Sequence, residues 1–130
     1  MASVLIYEDE PAVGRLLSLT FGLEGHEVEV VADGDEGARR LDGPVPDLLI
    51  LDVMLPGRDG LDLLKDLRGR PTWDGCRVVV LTALADDRDV WRGWASGADY
   101  YLTKPFDVDH LREVCDRLLR DEDLDVESAG

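Results

Sequence analysis

Positive charge is scarce in this sequence. Its 14 lysines and arginines face 29 aspartates and glutamates, leaving a formal net charge of −15 over 130 residues. That balance argues against unaided binding to DNA, RNA or an anionic membrane surface, because phosphates would be repelled. Cysteine is nearly absent. Cys76 and Cys115 are too few for a disulfide framework or a four-ligand zinc site, and read as free thiols of a reducing cytosol. Histidine is equally sparse, and His26 and His110 stand in polar surroundings that suggest surface positions. No apolar run approaches the ~20 residues of a membrane-spanning helix. Met1-Ala2-Ser3 passes straight into Val4-Leu5-Ile6-Tyr7, without the basic and long apolar regions of a secretory signal. Internal repeats and low-complexity linkers are missing too. With 45% apolar and 33% charged residues, the expectation is one acidic, soluble, cytoplasmic domain of ordinary size.

Short apolar runs alternate with longer amphipathic stretches. Strands are expected at Val4–Tyr7, Glu27–Val31, Leu48–Leu51, Val78–Leu81 and Asp99–Leu102. Leu48-Leu49-Ile50-Leu51 and Val78-Val79-Val80-Leu81 show no polar alternation, as strands covered on both faces require. Between them lie helical patterns: Leu16, Leu17, Leu19, Phe21 and Leu23 in the first, Leu61, Leu64 and Leu67 in the third, and Leu111, Val114, Leu118 and Leu119 in the last. Five strands alternating with five helices predict an α/β domain, doubly wound around a parallel sheet. Residues 121–130 carry five acids and no base, which predicts a frayed, solvated tail after a domain spanning 1–120.

Parallel strands would bring the polar residues that follow them to one edge. Glu8-Asp9-Glu10 follow the first strand, Asp52 the third, Thr82 the fourth and Thr103-Lys104-Pro105 the fifth. Clustered carboxylates repel unless a cation neutralises them. A few carboxylate oxygens suit Mg²⁺, which keeps several of its waters. Lys65 and Lys104 are the only lysines, and a mobile ammonium at Lys104 suits a phosphoryl oxygen. A carboxylate nucleophile beside Mg²⁺, a lysine and a hydroxyl make a plausible phosphoryl acceptor.

Val4–Pro11 (VLIYEDEP), Leu49–Gly57 (LILDVMLPG), Val80–Ala83 (VLTA) and Gly97–Phe106 (GADYYLTKPF) resemble, in order and spacing, the receiver domains of two-component response regulators. The resemblance runs from about residue 3 to about residue 120. It implies a flavodoxin-like (βα)5 fold with strand order 2-1-3-4-5. It makes Asp52 the phospho-acceptor, served by a sensor histidine kinase or histidine phosphotransfer protein. Mg²⁺ (or Mn²⁺) would be bound by Asp9, Asp52 and the backbone carbonyl of Met54, with Glu8 acting through a metal-bound water. Thr82 and Lys104 would bind phosphoryl oxygens, and Tyr101 would turn inward as Thr82 moves. Such a domain is a switch rather than an enzyme, beyond catalysing its own phosphorylation and dephosphorylation.

Several residues depart from the family pattern. Glu8 stands where aspartate is common, and Tyr7 where a small aliphatic is usual, its ring expected to pack with the hydroxyl at the edge. Met54 and Leu84, both apolar, flank the site at positions that tune loss of the phosphoryl group, so a long-lived phospho-form is expected. Trp91 and Trp94, three residues apart in Asp86–Ser96, read either as core or, with Tyr100, as an exposed aromatic patch. That patch would serve a homodimer or protein target on the face shared with the fifth strand and last helix. An aspartyl-phosphate phosphatase would want an acid where Met54 stands, and a flavodoxin-like cofactor binder would want a phosphate loop in place of Glu8-Asp9-Glu10-Pro11. A receiver-like module that docks without phosphorylation is the alternative reading. The acidic tail does not resemble a linker into a DNA-binding domain, which favours a stand-alone regulator.

Overall fold

The computed structural model describes residues 1–83 and 97–122. Five strands form one parallel sheet: β1 (Ser3–Tyr7), β2 (Glu27–Val31), β3 (Leu48–Asp52), β4 (Arg77–Thr82) and β5 (Tyr100–Thr103). Their order is β2-β1-β3-β4-β5, as the resemblance implied. The helices are α1 (Pro11–Leu23), α2 (Gly34–Arg40), α3 (Gly60–Arg68) and α4 (Val108–Leu119), with a 3₁₀ turn at Pro71–Trp73. Leu84, Trp91, Trp94 and the helix expected around them lie outside the described residues, as does the tail from residue 123.

Side chains alternate across a strand, and both faces of this sheet are covered. Leu5, Tyr7, Leu49, Leu51, Val78 and Val80 point to one face, where Leu61, Leu64 and Leu67 of α3 join them. Val4, Ile6, Leu48, Ile50, Val79 and Leu81 point to the other, under Leu17 and Phe21 of α1 and Leu111, Val114 and Leu118 of α4. Each fully buried Leu, Val or Ile contributes about 1.5–3 kcal/mol of transfer free energy, so unbroken aliphatic runs are what such strands need. Trp73 closes the first cluster, its Nε1 donating to the Leu41 carbonyl at 3.1 Å.

Three points add to or differ from the sequence pattern. On α1 only Leu17 and Phe21 of the five apolar residues are buried, while Leu16, Leu19 and Leu23 are exposed. At about 100° per residue one stripe alone can face the sheet. The histidines are half-buried rather than on the surface. His26 Nδ1 accepts from the Ala2 amide at 3.0 Å, and the His110 ring packs edge-on against Tyr100. Finally, Asp121 and Glu122 make side-chain ion pairs with the body of the domain. Arg77 reaches the Asp121 carboxylate at 3.0 Å and Arg117 that of Glu122 at 3.3 Å.

Candidate functional site

The carboxyl ends of β1, β3, β4 and β5 meet at one rim. Glu8 directly follows β1, and its amide continues the ladder by donating to the Val31 carbonyl at 3.0 Å. Asp52 is the last residue of β3 and Thr82 the last of β4. Lys104 follows β5, its amide donating to the Thr82 carbonyl at 2.7 Å, and its bond to Pro105 is cis.

Lys104 sits at the centre. Its Nζ donates to Glu8 Oε1 at 2.7 Å and to Asp52 Oδ2 at 3.0 Å, with Glu10 Oε1 at 3.6 Å. The remaining carboxylate oxygens are satisfied by the backbone. Asp52 Oδ1 accepts from the Met54 amide at 2.9 Å, and Glu8 Oε2 from the Glu10 amide at 3.1 Å. Glu8 and Asp52 are 2% and 3% exposed, and Thr82 is fully buried. Asp9 is exposed, as is the Met54 side chain.

Two buried carboxylates share one ammonium, so the site carries excess negative charge. Burial pushes the Glu8 carboxyl up to about 7, against the pull of its hydrogen bond from Lys104. For Lys104, burial disfavours the ammonium, but the hydrogen bonds to Glu8 and Asp52 outweigh it and push the pKa up to about 12. Glu8, Asp9 and Asp52 each offer an oxygen, and these oxygens lie within 4.8 Å of one another. An all-oxygen set of that size fits a hard divalent cation, which would supply the missing positive charge.

The structure thus brings together Glu8, Asp9, Asp52, Thr82 and Lys104, with the Met54 backbone beside Asp52. Tyr101 stands opposite Val80 in the ladder, its ring turned into the cluster beneath α3 at 9% exposure. Tyr100 does not belong to an exposed aromatic patch: it is 2% exposed, packed in the α1–α4 cluster. Consecutive residues of a strand face opposite sides, and here both sides are covered. Tyr7 packs as expected, but its hydroxyl is buried rather than at an edge and donates to the Gly37 carbonyl at 2.8 Å. Sequence reasoning left Glu10 without a role, although its place in Glu8-Asp9-Glu10 was a signal for its approach to Lys104. It also overlooked the packing of α2 against the loop after β3, which no local pattern announces.

Comparison with known proteins places this arrangement. The family model for the response regulator receiver domain matches residues 4–129. The phosphate regulon transcriptional regulatory protein PhoB of Rhizobium meliloti is 40% identical over 120 residues, covering 92% of this chain and 53% of that protein. The transcriptional regulatory protein TcrA of Mycobacterium tuberculosis is 44% identical over 108 residues, covering 83% and 42%. The chain spans about half the length of the curated relatives it matches. Among solved structures, the receiver domain of the Francisella response regulator 1452 superposes with a TM-score of 0.85 at 30% identity, over 93% of this chain and 98% of that one. The signal receiver domain of a histidine kinase from Syntrophus aciditrophicus also scores 0.85, at 35% identity over 97% and 98%. No helix among the described residues is long and apolar enough to cross a membrane. With its sheet order, its rim of acids and lysine and these relatives in agreement, the chain belongs to the response regulator receiver domain family of two-component systems.

Proposed function

We propose that Asp52 accepts a phosphoryl group from a histidine kinase or histidine phosphotransfer protein, and that the modified domain controls a protein partner or an attached effector. The observation that carries this reading is the setting of Asp52. It is a buried carboxylate at the rim, 3.0 Å from the Lys104 ammonium and grouped with Glu8 and Asp9. In the transfer an Asp52 oxygen forms the new P–O bond as the P–N bond to the donor imidazole breaks, and the imidazole leaves with the electron pair. Such a step needs in-line placement and charge neutralisation more than covalent assistance.

Asp9, Asp52 and the Met54 carbonyl would hold Mg²⁺ (or Mn²⁺), with Glu8 as an outer partner. The cation, when bound, neutralises charge on the transferring group. Lys104 then exchanges its carboxylate partners for a phosphoryl oxygen, and the Thr82 hydroxyl takes another. Tyr101 lies on β5, three residues before Lys104 at the strand's end, so displacement at Thr82 and Lys104 has a short route to its ring. No turnover of an external substrate is part of this reading.

Intact mass after incubation with acetyl phosphate, with and without Mg²⁺, tests it. One phosphoryl adduct is expected on the wild type with Mg²⁺ and none on Asp52→Asn. A folded protein that takes no adduct under any condition would favour the phosphorylation-independent docking module.

A further inference from the structure

The loop between β3 and α3 carries Met54, whose carbonyl completes the proposed metal site. At its β3 end the loop is tied down by its own chain. Met54 donates to Asp52 Oδ1, Met54 pairs with Asp59 in an isolated bridge, and the Gly60 amide donates to the Val53 carbonyl at 2.9 Å. Its tip, Pro56-Gly57-Arg58, has a different support.

That support is the start of α2. The first amides of a helix lack intrahelical acceptors. Asp33 caps one of them, its carboxylate accepting from the Glu36 amide at 2.7 Å. The Gly34 amide is satisfied outside the helix, by the Pro56 carbonyl at 2.7 Å. The approach is so close that a Cβ on Gly34 would stand 2.6 Å from Arg58 Cβ and 2.7 Å from the Arg58 amide nitrogen. Gly57, at φ +91°, packs against Asp35 from the loop side, and an exposed Arg58–Asp35 ion pair at 3.1 Å borders the contact.

We propose that the N-terminus of α2 sets the position of the metal-binding loop, with Gly34 as the positioning residue that fixes where the Met54 carbonyl stands. This rests on the metal reading above. The backbone of Arg58 cannot yield to a Cβ as the end of a flexible side chain would. A methyl group at residue 34 therefore displaces the tip, and the short loop passes that displacement to Met54. Groups that orient metal ligands from outside affect affinity by roughly 10–100-fold, whereas the Arg58–Asp35 pair, solvated on both sides, matters little.

Two readouts test the inference on the full chain. Mg²⁺ binding is measured by titration calorimetry, and amide exchange of Met54 is followed by NMR in metal-free protein. Gly34→Ala is expected to raise the Mg²⁺ Kd about tenfold or more and to speed Met54 exchange. The control is Gly37→Ala on the same helix, whose Cβ would meet the Tyr7 ring at 2.8 Å. It should lose stability yet keep the wild-type Kd and Met54 exchange rate. Should Gly34→Ala not fold, Gly57→Ala strains the same contact from the loop side and is expected to act in the same direction. Wild-type values in the Gly34 variant overturn the inference, as do equal losses in both helix variants. Wild-type protein that takes up no Mg²⁺ overturns the metal reading instead, and the Met54 exchange rates then decide the positioning claim by themselves.

Discussion

The Tyr7 ring and Gly37 fit together as a large side chain and a missing one. The hydroxyl donates to the Gly37 carbonyl at 2.8 Å, while a Cβ on Gly37 would stand 2.8 Å from the ring's Cε2. An unusual bulk at the end of β1 is thus accommodated by a bare position on α2. Gly37→Ala should cost about 1–3 kcal/mol, the usual penalty of overpacking. Tyr7→Phe should cost about 0.5–1.5 kcal/mol for the hydrogen bond. Combining Gly37→Ala with Tyr7→Leu should cost less than the sum of the two, because the smaller residue vacates the space. Urea denaturation of the four variants checks this.

Lys104 is the one ammonium that Glu8 and Asp52 share. Lys104→Met leaves two buried carboxylates facing each other, and breaking a buried pair in this way costs about 3–5 kcal/mol. Mg²⁺ should restore part of that loss in the variant, more than it adds to the wild type. Thermal melts with and without the cation would show it, and equal Mg²⁺ effects on both proteins would contradict the arrangement.

Glu8 gives the metal-free protein a characteristic pH dependence. Its carboxyl is raised from 4.5 to about 7, so across that interval the folded state binds a proton that the unfolded state has released. The resulting stabilisation is complete below pH 4.5 and is lost as pH rises through about 7. Glu8→Gln removes this contribution. The stability difference between wild type and Glu8→Gln should therefore move against the wild type over this range, as read by denaturation at a series of pH values without divalent cations.

Cys76 and Cys115 should behave as inert thiols. Both are buried, and burial pushes Cys76 up to about 12 and Cys115 higher still. Thiolate is the reactive form, so a disulfide reagent should label neither in native protein and both after unfolding in urea.

Much of this was legible in the sequence, for identifiable reasons. Runs such as Leu48–Leu51 and Val78–Leu81 are short and aliphatic throughout, the pattern of strands covered on both faces, and the residue that ends each run falls at the rim. Hence Glu8, Asp52, Thr82 and Lys104 could be placed together from strand ends alone. Less was legible where tertiary packing decides. Leu16, Leu19 and Leu23 look as apolar as Leu17, yet the helix phase leaves them outside. Tyr100 and Tyr101 are neighbours in a strand whose two faces are both closed, so both rings are buried, which their polarity did not announce. The approach of Gly34 to Arg58 joins residues far apart in sequence, and the hold of Arg77 on Asp121 spans 44 residues.

The sheet also acts as a partition. Alternate residues of β1, β3 and β4 enter separate clusters on its two sides, so the interior is two compartments back to back, divided by backbone alone. A void opened on one side cannot be filled from the other. Losses from Leu64→Ala and Leu111→Ala, about 2–5 kcal/mol each, should simply add, since the two residues belong to separate clusters on opposite sides of the sheet. Either compartment can then accumulate substitutions without constraining its twin, which gives a small domain two nearly independent histories of repacking behind one unchanged rim.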